Sequence, residues 1–505
     1  VIRQTEVLIV GAGPAGLLLA CELRLAGIDT TLVERHPERP DFCRGFNLNA
    51  RALDLLARRG LADRFIAEGW QVPHAPFTSL PVTLSLEGAA TDHPYSLGIP
   101  QTRVEEILEE TALGRGTTVL RGHELRELRQ SPTAVTATIA GPEGEYRIEA
   151  AYLVGCDGGR STVRKQAGIA FPGTAAKLHM LLGDVELADP AALPPGNHPG
   201  PDANVFVIPR PGYVRVLVAD PAPPANQDRD EPVSLPRFQA AVDATLGRHV
   251  EIRHARWLTR FGDAARQAEE YIRGRIILAG DAAHIHPPAG AIGVNVALDD
   301  AFNLGWKLAA TVRGTAPAHL LDSYHVERHA LGERLLASTR AQVALTELAE
   351  QGAPLAELLT RVARHPGGNR AFAETLIGLD TTYEMYPRTE QSHPWLGRLA
   401  PDIRLAGDGS GRLTGLLEAG RAVLVDFTEQ QRFRLPAAKW ADRVNTVSAR
   451  SPEHPELRAL LIRPDGHTAW VAHIADNPGD KSVNNLVDNL ADTFADNLGD
   501  NPADT

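Results

Sequence analysis

The run Val7-Leu8-Ile9-Val10, followed at once by Gly11-Ala12-Gly13-Pro14-Ala15-Gly16, constrains this chain more than any other feature. Four consecutive apolar residues suit a strand buried on both faces. Leu17 to Leu25 then reads as a helix that Gly27 ends, and Thr30-Thr31-Leu32-Val33 reads as a second strand finishing at Glu34. In that βαβ order the Gly-x-Gly-x-x-Gly spacing acquires physical meaning. Gly11 allows the tight turn, Gly13 lets backbone approach a pyrophosphate, and Gly16 lets helix and strand pack closely. Pro14 and Ala15 open the helix, whose N-terminus faces the negative charge. Glu34, eighteen residues after Gly16, is an acid placed to bind the two hydroxyls of an adenosine ribose. These residues fit NAD and FAD equally.

A chain of 505 residues exceeds what one hydrophobic core serves, so two or three domains are expected. Hydrophobic residues at 43% and charged residues at 23% describe a globular protein with several cores. The net charge of -12, with no long Lys/Arg run, argues against nucleic-acid and membrane partners. The three cysteines, Cys21, Cys43 and Cys156, form no CxxC and no His/Cys cluster, so neither a disulfide framework nor a metal site is expected. His284 and His286, lacking a carboxylate motif, read as loop-packing residues. No secretory leader and no apolar stretch of membrane-spanning length is apparent, and a cytoplasmic location is expected.

Further along, helices broken at Gly60 are expected between Ala52 and Glu68, and a crossing into a second domain between Pro73 and Pro94. A helix from Val104 to Leu113 follows, then strands around Val119, Ala134 to Ile139, and Tyr152 to Val154. Asn204 to Ile208 and Tyr213 to Val218, separated by Pro209-Arg210-Pro211-Gly212, predict an antiparallel sheet floor. Ile276-Ile277-Leu278-Ala279 restarts the buried parallel type, and a long helix, Val296 to Val312, follows. Val423 to Phe427 and Leu460 to Ile462 are strands of a small third domain. The residues from Asp476 hold seven aspartates against one lysine and read as a solvated tail.

Leu278-Ala279-Gly280-Asp281-Ala282-Ala283-His284 followed by Pro287-Pro288-Ala289-Gly290-Ala291-Ile292-Gly293-Val294-Asn295 resembles the class A FAD-dependent aromatic hydroxylases, and more closely their actinobacterial branch acting on aromatic polyketides. The resemblance covers most of residues 1 to 340, with a weaker echo to about 472. It implies an α/β fold: a Rossmann-like FAD domain with an inserted sheet-floored substrate domain, as in para-hydroxybenzoate hydroxylase, and a C-terminal thioredoxin-like domain. It divides the chain into a discontinuous FAD-binding domain (1–72, 97–175 and 270–345), a substrate domain (73–96 and 176–269), a helical connector (346–394), a thioredoxin-like domain without CxxC (395–474) and an acidic tail (475–505).

By the same resemblance Gly280 and Asp281 hold the flavin ribityl chain, while the loop from Pro288 through Gly290, Ala291, Gly293 and Val294 to Asn295 lies beside the isoalloxazine and, from its non-proline residues, offers backbone N–H groups to the pyrimidine edge. Asp157 and Gly158, in Cys156-Asp157-Gly158-Gly159-Arg160-Ser161, resemble the Asp-Gly signature associated with FAD and NADPH. Arg35 is a further cofactor-binding candidate, Arg44 falls on the adenosine or pyrophosphate side, Gln101 by the ribityl chain, and Arg103 among the flavin-flanking polar positions. Arg51 is expected near flavin and substrate, as a fixed cation that stabilises a reduced anionic flavin or an oxyanion. Where many relatives carry Gly-Gly-Gln-Gly, this chain has Gly290-Ala291-Ile292-Gly293, a stiffer and more apolar loop.

The function implied is a monooxygenase in antibiotic biosynthesis: NADPH or NADH reduces FAD, O2 adds as a flavin C4a-hydroperoxide, and one oxygen atom enters a bulky aromatic polyketide. Hydroxylation is favoured. Baeyer–Villiger insertion on the same scaffold, a flavin dehydrogenase and a non-catalytic flavin-bearing binding protein stay open, as does oligomeric state, a homodimer included.

Overall fold

Burial on both faces puts the opening strand at the middle of a sheet. The structure, a computed structural model, describes residues 2–75, 80–201, 203–221, 232–316, 319–347, 349–385, 393–407, 411–429, 433 and 443–473; the acidic tail lies outside the described residues. The chain divides into two compact units, residues 1–39, 43–172 and 267–505, and residues 40–42 and 173–266, over what is described. The described part of 73–96 groups with the first of these.

In the first unit Ile2–Val10 pairs in parallel with Thr30–Glu34 on one side and Gly144–Gly155 on the other. Ile276–Leu278 and Thr118–Arg121 extend the sheet in parallel at either end. Val7, Leu8 and Ile9 are at most 1% exposed, so no polar side chain could replace them without losing its water. The helix Pro14–Leu25 covers one face, with Leu17, Leu18, Leu19 and Leu23 in the same core. The long helix begins at Gly293, three residues before the sequence suggests, and ends at Val312 as expected.

The C-terminal part of this unit holds a four-stranded sheet in the order Val444–Ser448, Ala422–Asp426, Leu457–Ile462, Thr468–His473. Its first pair is parallel and the next two antiparallel, a thioredoxin-like arrangement. The second unit is a five-stranded antiparallel sheet with the helix Leu235–Leu246 on one face. Alternation along Asn204–Arg210 and Tyr213–Ala219 sends Val205, Val207, Val216 and Val218 towards Phe238 and Val242. The opposite face carries Phe206, Leu217, the buried Arg215–Asp184 pair, and Trp257 stacked on Phe42 at 4.5 Å. Among the described residues no helix is long and apolar enough to cross a membrane, and no group of His, Cys, Asp and Glu could hold a metal.

Candidate flavin site

The three opening glycines do two different things. A Cβ on Gly11, whose φ is +108°, would lie 2.3 Å from the carbonyl oxygen of Cys156, and one on Gly16 would lie 2.0 Å from that of Gly11. Both positions therefore press backbone against backbone. A Cβ on Gly13 would meet nothing within 4 Å. Gly13 is the N-cap of the first helix, Pro14 its first residue, and no side chain caps that end. The first-turn N–H groups thus have no capping side chain, and there is room beside Gly13, which suits an anion. Glu34 accepts hydrogen bonds from the N–H of Ala12 and of His36, each at 2.9 Å, which holds its carboxylate beside the glycine turn. Arg35 donates to the neighbouring His36 ring at 3.2 Å and is exposed.

Gly280, at φ +61°, brings the second motif to the first: a Cβ there would sit 3.1 Å from Ala15 and 3.4 Å from Ala297. The neighbouring Asp281 is exposed and makes no hydrogen bond or ion pair within the described residues. Two buried groups hold the turn. Asp300 accepts the N–H of Gly280 at 2.9 Å, and Arg164 donates to the carbonyl of Ala282 at 2.7 Å. The Asp157-Gly158 motif works one step back. Asp157 accepts from Ser161 Oγ and from the N–H groups of Thr162 and Val163, so it starts the helix Thr162–Gln166 that carries Arg164. Gly158 turns the chain at φ +79°. Burial pushes the Asp157 carboxyl up.

The loop Pro288 to Asn295 begins the long helix. Gly290 (φ 73°) and Ala291 (φ 52°) are consecutive left-handed residues, and Ala291 is the one non-glycine of positive φ among the described residues. Ile292 is the N-cap and, as at Gly13, no side chain caps the helix end. Pro288 and Ala291 are exposed, Gly290 buried. Asn295 accepts the N–H of Asn49 at 2.8 Å and donates to the carbonyl of Asn47 at 3.3 Å, so its side chain ties the helix to the neighbouring chain. Val294 and Gln101 meet at Gly45, where a Cβ would lie 3.8 Å from Val294 and 3.1 Å from Gln101. Gln101 donates to Glu105 at 2.8 Å. His286 sits by Gly293, and burial lowers its pKa.

Three of the arginines singled out in the sequence differ in their surroundings. Arg51 is 4% exposed and bonds Asp299 through Nε at 3.0 Å and Nη2 at 3.2 Å, with His467 also 3.3 Å from Nη2. Its charge is matched inside the protein by Asp299. Burial works against the guanidinium, yet Asp299 raises its pKa. Arg103 forms ion pairs with Glu68 and Glu106. Arg44 is exposed on the segment leading to Gly45.

Sequence reasoning missed what anchors the site. Asp299 and Asp300 are bridged by Arg328, whose Nη1 and Nε lie 2.7 Å from them. Burial pushes the Asp300 carboxyl up, but Arg328 and His284 pull it further down, to about 2. His284 donates to Asp300 at 2.8 Å. The signal was present: two adjacent aspartates follow the apolar run Val296-Ala297-Leu298 in a largely buried helix. From the C-terminal sheet, the buried turn Arg463 to His467 reaches Glu327, Trp306 and Arg51.

Two helix N-termini without side-chain caps, an unpaired carboxylate and an open space above Gly13 fit a dinucleotide carrying an electron-rich ring. The chain matches the family described as FAD binding domain over residues 4–339, and that described as Aromatic-ring hydroxylase, C-terminal, over residues 393–496. It is 41% identical over 485 residues to the 12-dehydrotetracycline 5-monooxygenase/anhydrotetracycline 6-monooxygenase of Streptomyces rimosus, covering 92% of this chain and 95% of that one. It is 40% identical over 474 residues to a dialkyldecalin synthase of Streptomyces rugosporus, covering 92% and 96%. Its fold superimposes on the anhydrotetracycline hydroxylase from Streptomyces rimosus with a TM-score of 0.89 at 39% identity, over 99% of this chain and 100% of that one. The chain belongs to the FAD-binding aromatic-ring hydroxylase family and is an FAD-dependent monooxygenase.

Proposed function

We propose that this monooxygenase takes electrons from NADPH or NADH and places one oxygen atom of O2 on a ring carbon of a fused-ring aromatic polyketide, in cytoplasmic antibiotic biosynthesis. The observation that carries the reading is the meeting, in one unit, of the Gly13 helix end, the unpaired Asp281 and the Ala291 loop. Bound FAD supplies the redox chemistry. The chain's own residues bind and orient: the Gly13 helix end takes the pyrophosphate, Glu34 the adenosine ribose and Asp281 the ribityl hydroxyls. The N–H groups from Gly293 to Asn295 receive the electron-rich edge of the ring. Asp157 and Asn295 serve through the backbone they hold, and Arg51 as a positioning residue. Phe206, Leu217 and Trp257 give an aromatic substrate a flat apolar floor.

The test is aerobic incubation with NADPH and tetracyclic or angular aromatic polyketides under isotopically labelled O2, following NADPH loss and product mass together. Gain of one labelled oxygen on a ring carbon is the expected result, whereas oxygen inside a ring bond would replace hydroxylation by Baeyer–Villiger insertion. The similarity to a dialkyldecalin synthase favours one second reading, in which this chain closes a carbocycle without inserting oxygen. Stable NADPH with an isomerised product of unchanged mass would establish it and overturn the first.

A further inference from the structure

A cavity of about 100 Å³ lies between the helices Gly293–Val312 and Asp322–Glu347 and the chain from Thr375 to Thr381. Its inner wall includes Ile292, Asn295 and Val296, the residues that join the flavin loop to its helix. Its lining reaches outward to Arg334 and Asp380, paired at 2.7 Å with side chains 52% and 26% exposed. The charged and amide groups on its wall are committed to protein partners. Asp299 serves Arg51 and Arg328, Asn295 holds Asn49 and Asn47, and Asn49 donates to Ile377 and accepts from Ala52. Asp380 accepts from Arg334 and Thr375. Beside Ser338, Thr375, Gly378 and Thr381, the remaining lining is aliphatic: Ile292, Val296, Leu331, Leu335, Leu376 and Ile377.

The aliphatic part of the wall offers water no partner, yet the volume holds about three molecules of water's size. A small apolar guest loses nothing there. O2 is the apolar gas consumed in the reaction proposed above, and this inference rests on that reading. Ile292, 5% exposed, makes the inner end of the cavity apolar. We propose that the cavity is a dioxygen-holding chamber behind the flavin loop, entered past the Arg334–Asp380 pair and ending at Ile292.

Two measurements on the FAD-loaded protein test this. Crystals pressurised with xenon are expected to show the gas between Ile292, Leu331 and Leu335; an empty chamber beside xenon sites elsewhere overturns the proposal. In Leu335→Trp, which narrows the entry at a partly exposed position, photoreduced flavin mixed with O2 is expected to reoxidise about tenfold more slowly. Reoxidation by ferricyanide, which transfers electrons without entering, stays unchanged. Equal slowing with both oxidants, or none with O2, overturns it. Neither measurement uses NADPH or a polyketide, so failure to find a hydroxylated product would sink the proposed function and leave these readouts intact.

Discussion

Replacing Asp300 by Asn removes one charge and keeps the shape, and its cost follows from three hydrogen bonds. The fully buried carboxylate accepts from Gly280 at 2.9 Å and His284 at 2.8 Å on one oxygen, and from Arg328 at 2.7 Å on the other. An amide has a single acceptor oxygen. With that oxygen towards Gly280 and His284, its NH2 faces Arg328, and a charged hydrogen bond worth about 1.5–3 kcal/mol is lost. Arg328 keeps Asp299 and Tyr383. Turned round, the amide strands two buried donors at about 1–3 kcal/mol each. The substitution should therefore cost about 2–4 kcal/mol at pH 7. The carboxyl has a folded pKa of about 2 against an ordinary 3.8. A depressed acid contributes fully above its unfolded pKa and loses that contribution as pH falls through the folded value. The gap between wild type and Asp300→Asn should thus shrink between about pH 4 and pH 2. Urea unfolding of both proteins at a series of pH values measures it. A variant within about 0.5 kcal/mol of wild type at pH 7, or a gap unchanged at the acid end, would refute the reasoning.

Gly13→Ala should leave the urea midpoint of the FAD-free protein unchanged, because its Cβ meets nothing, yet weaken FAD binding about tenfold, about 1.4 kcal/mol, in a fluorescence titration. Gly16→Ala, whose Cβ would collide with the Gly11 carbonyl, should instead destabilise the protein by about 1–3 kcal/mol with or without FAD. Burial lowers the pKa of Lys307 to about 8 although Glu327 lies 2.8 Å away. Lys307→Met should change the unfolding free energy by less than about 1 kcal/mol, since Glu327 keeps Arg463. Glu327→Ala strands the buried Lys307 and leaves Arg463 with Asp465 alone, and should cost about 3–5 kcal/mol. Between about pH 8 and pH 10.5 the unfolded chain binds a proton that folded Lys307 does not, so wild type should gain stability relative to Lys307→Met over that range, as paired melts would show.

What was legible in the sequence was local. Strand, glycine turn, helix and second strand lie within the first 34 residues, and each carries its own signal: burial on both faces, φ at the turn, helix propensity and a terminal acid. The antiparallel pair around Phe206 and Val216 was equally plain from alternation and a Pro-Gly turn. Asp157-Gly158 was half legible: the turn could be read, but not that its carboxylate caps a helix whose arginine supports Ala282.

Arg51 shows where such reading ends. An arginine on an apolar helix says that its charge must be compensated, but its partners are Asp299, 248 positions away, and His467, 416 away. Composition also places no value on the cavity, because a void is a property of how helices pack. The sequence by itself determined the nucleotide-binding half, since turn geometry and burial are set by neighbouring residues. Only the tertiary structure decided which buried charges pair and which carboxylate stays open for a ligand. A buried charge is stable only beside its partner, and that proximity comes from the packing of distant elements.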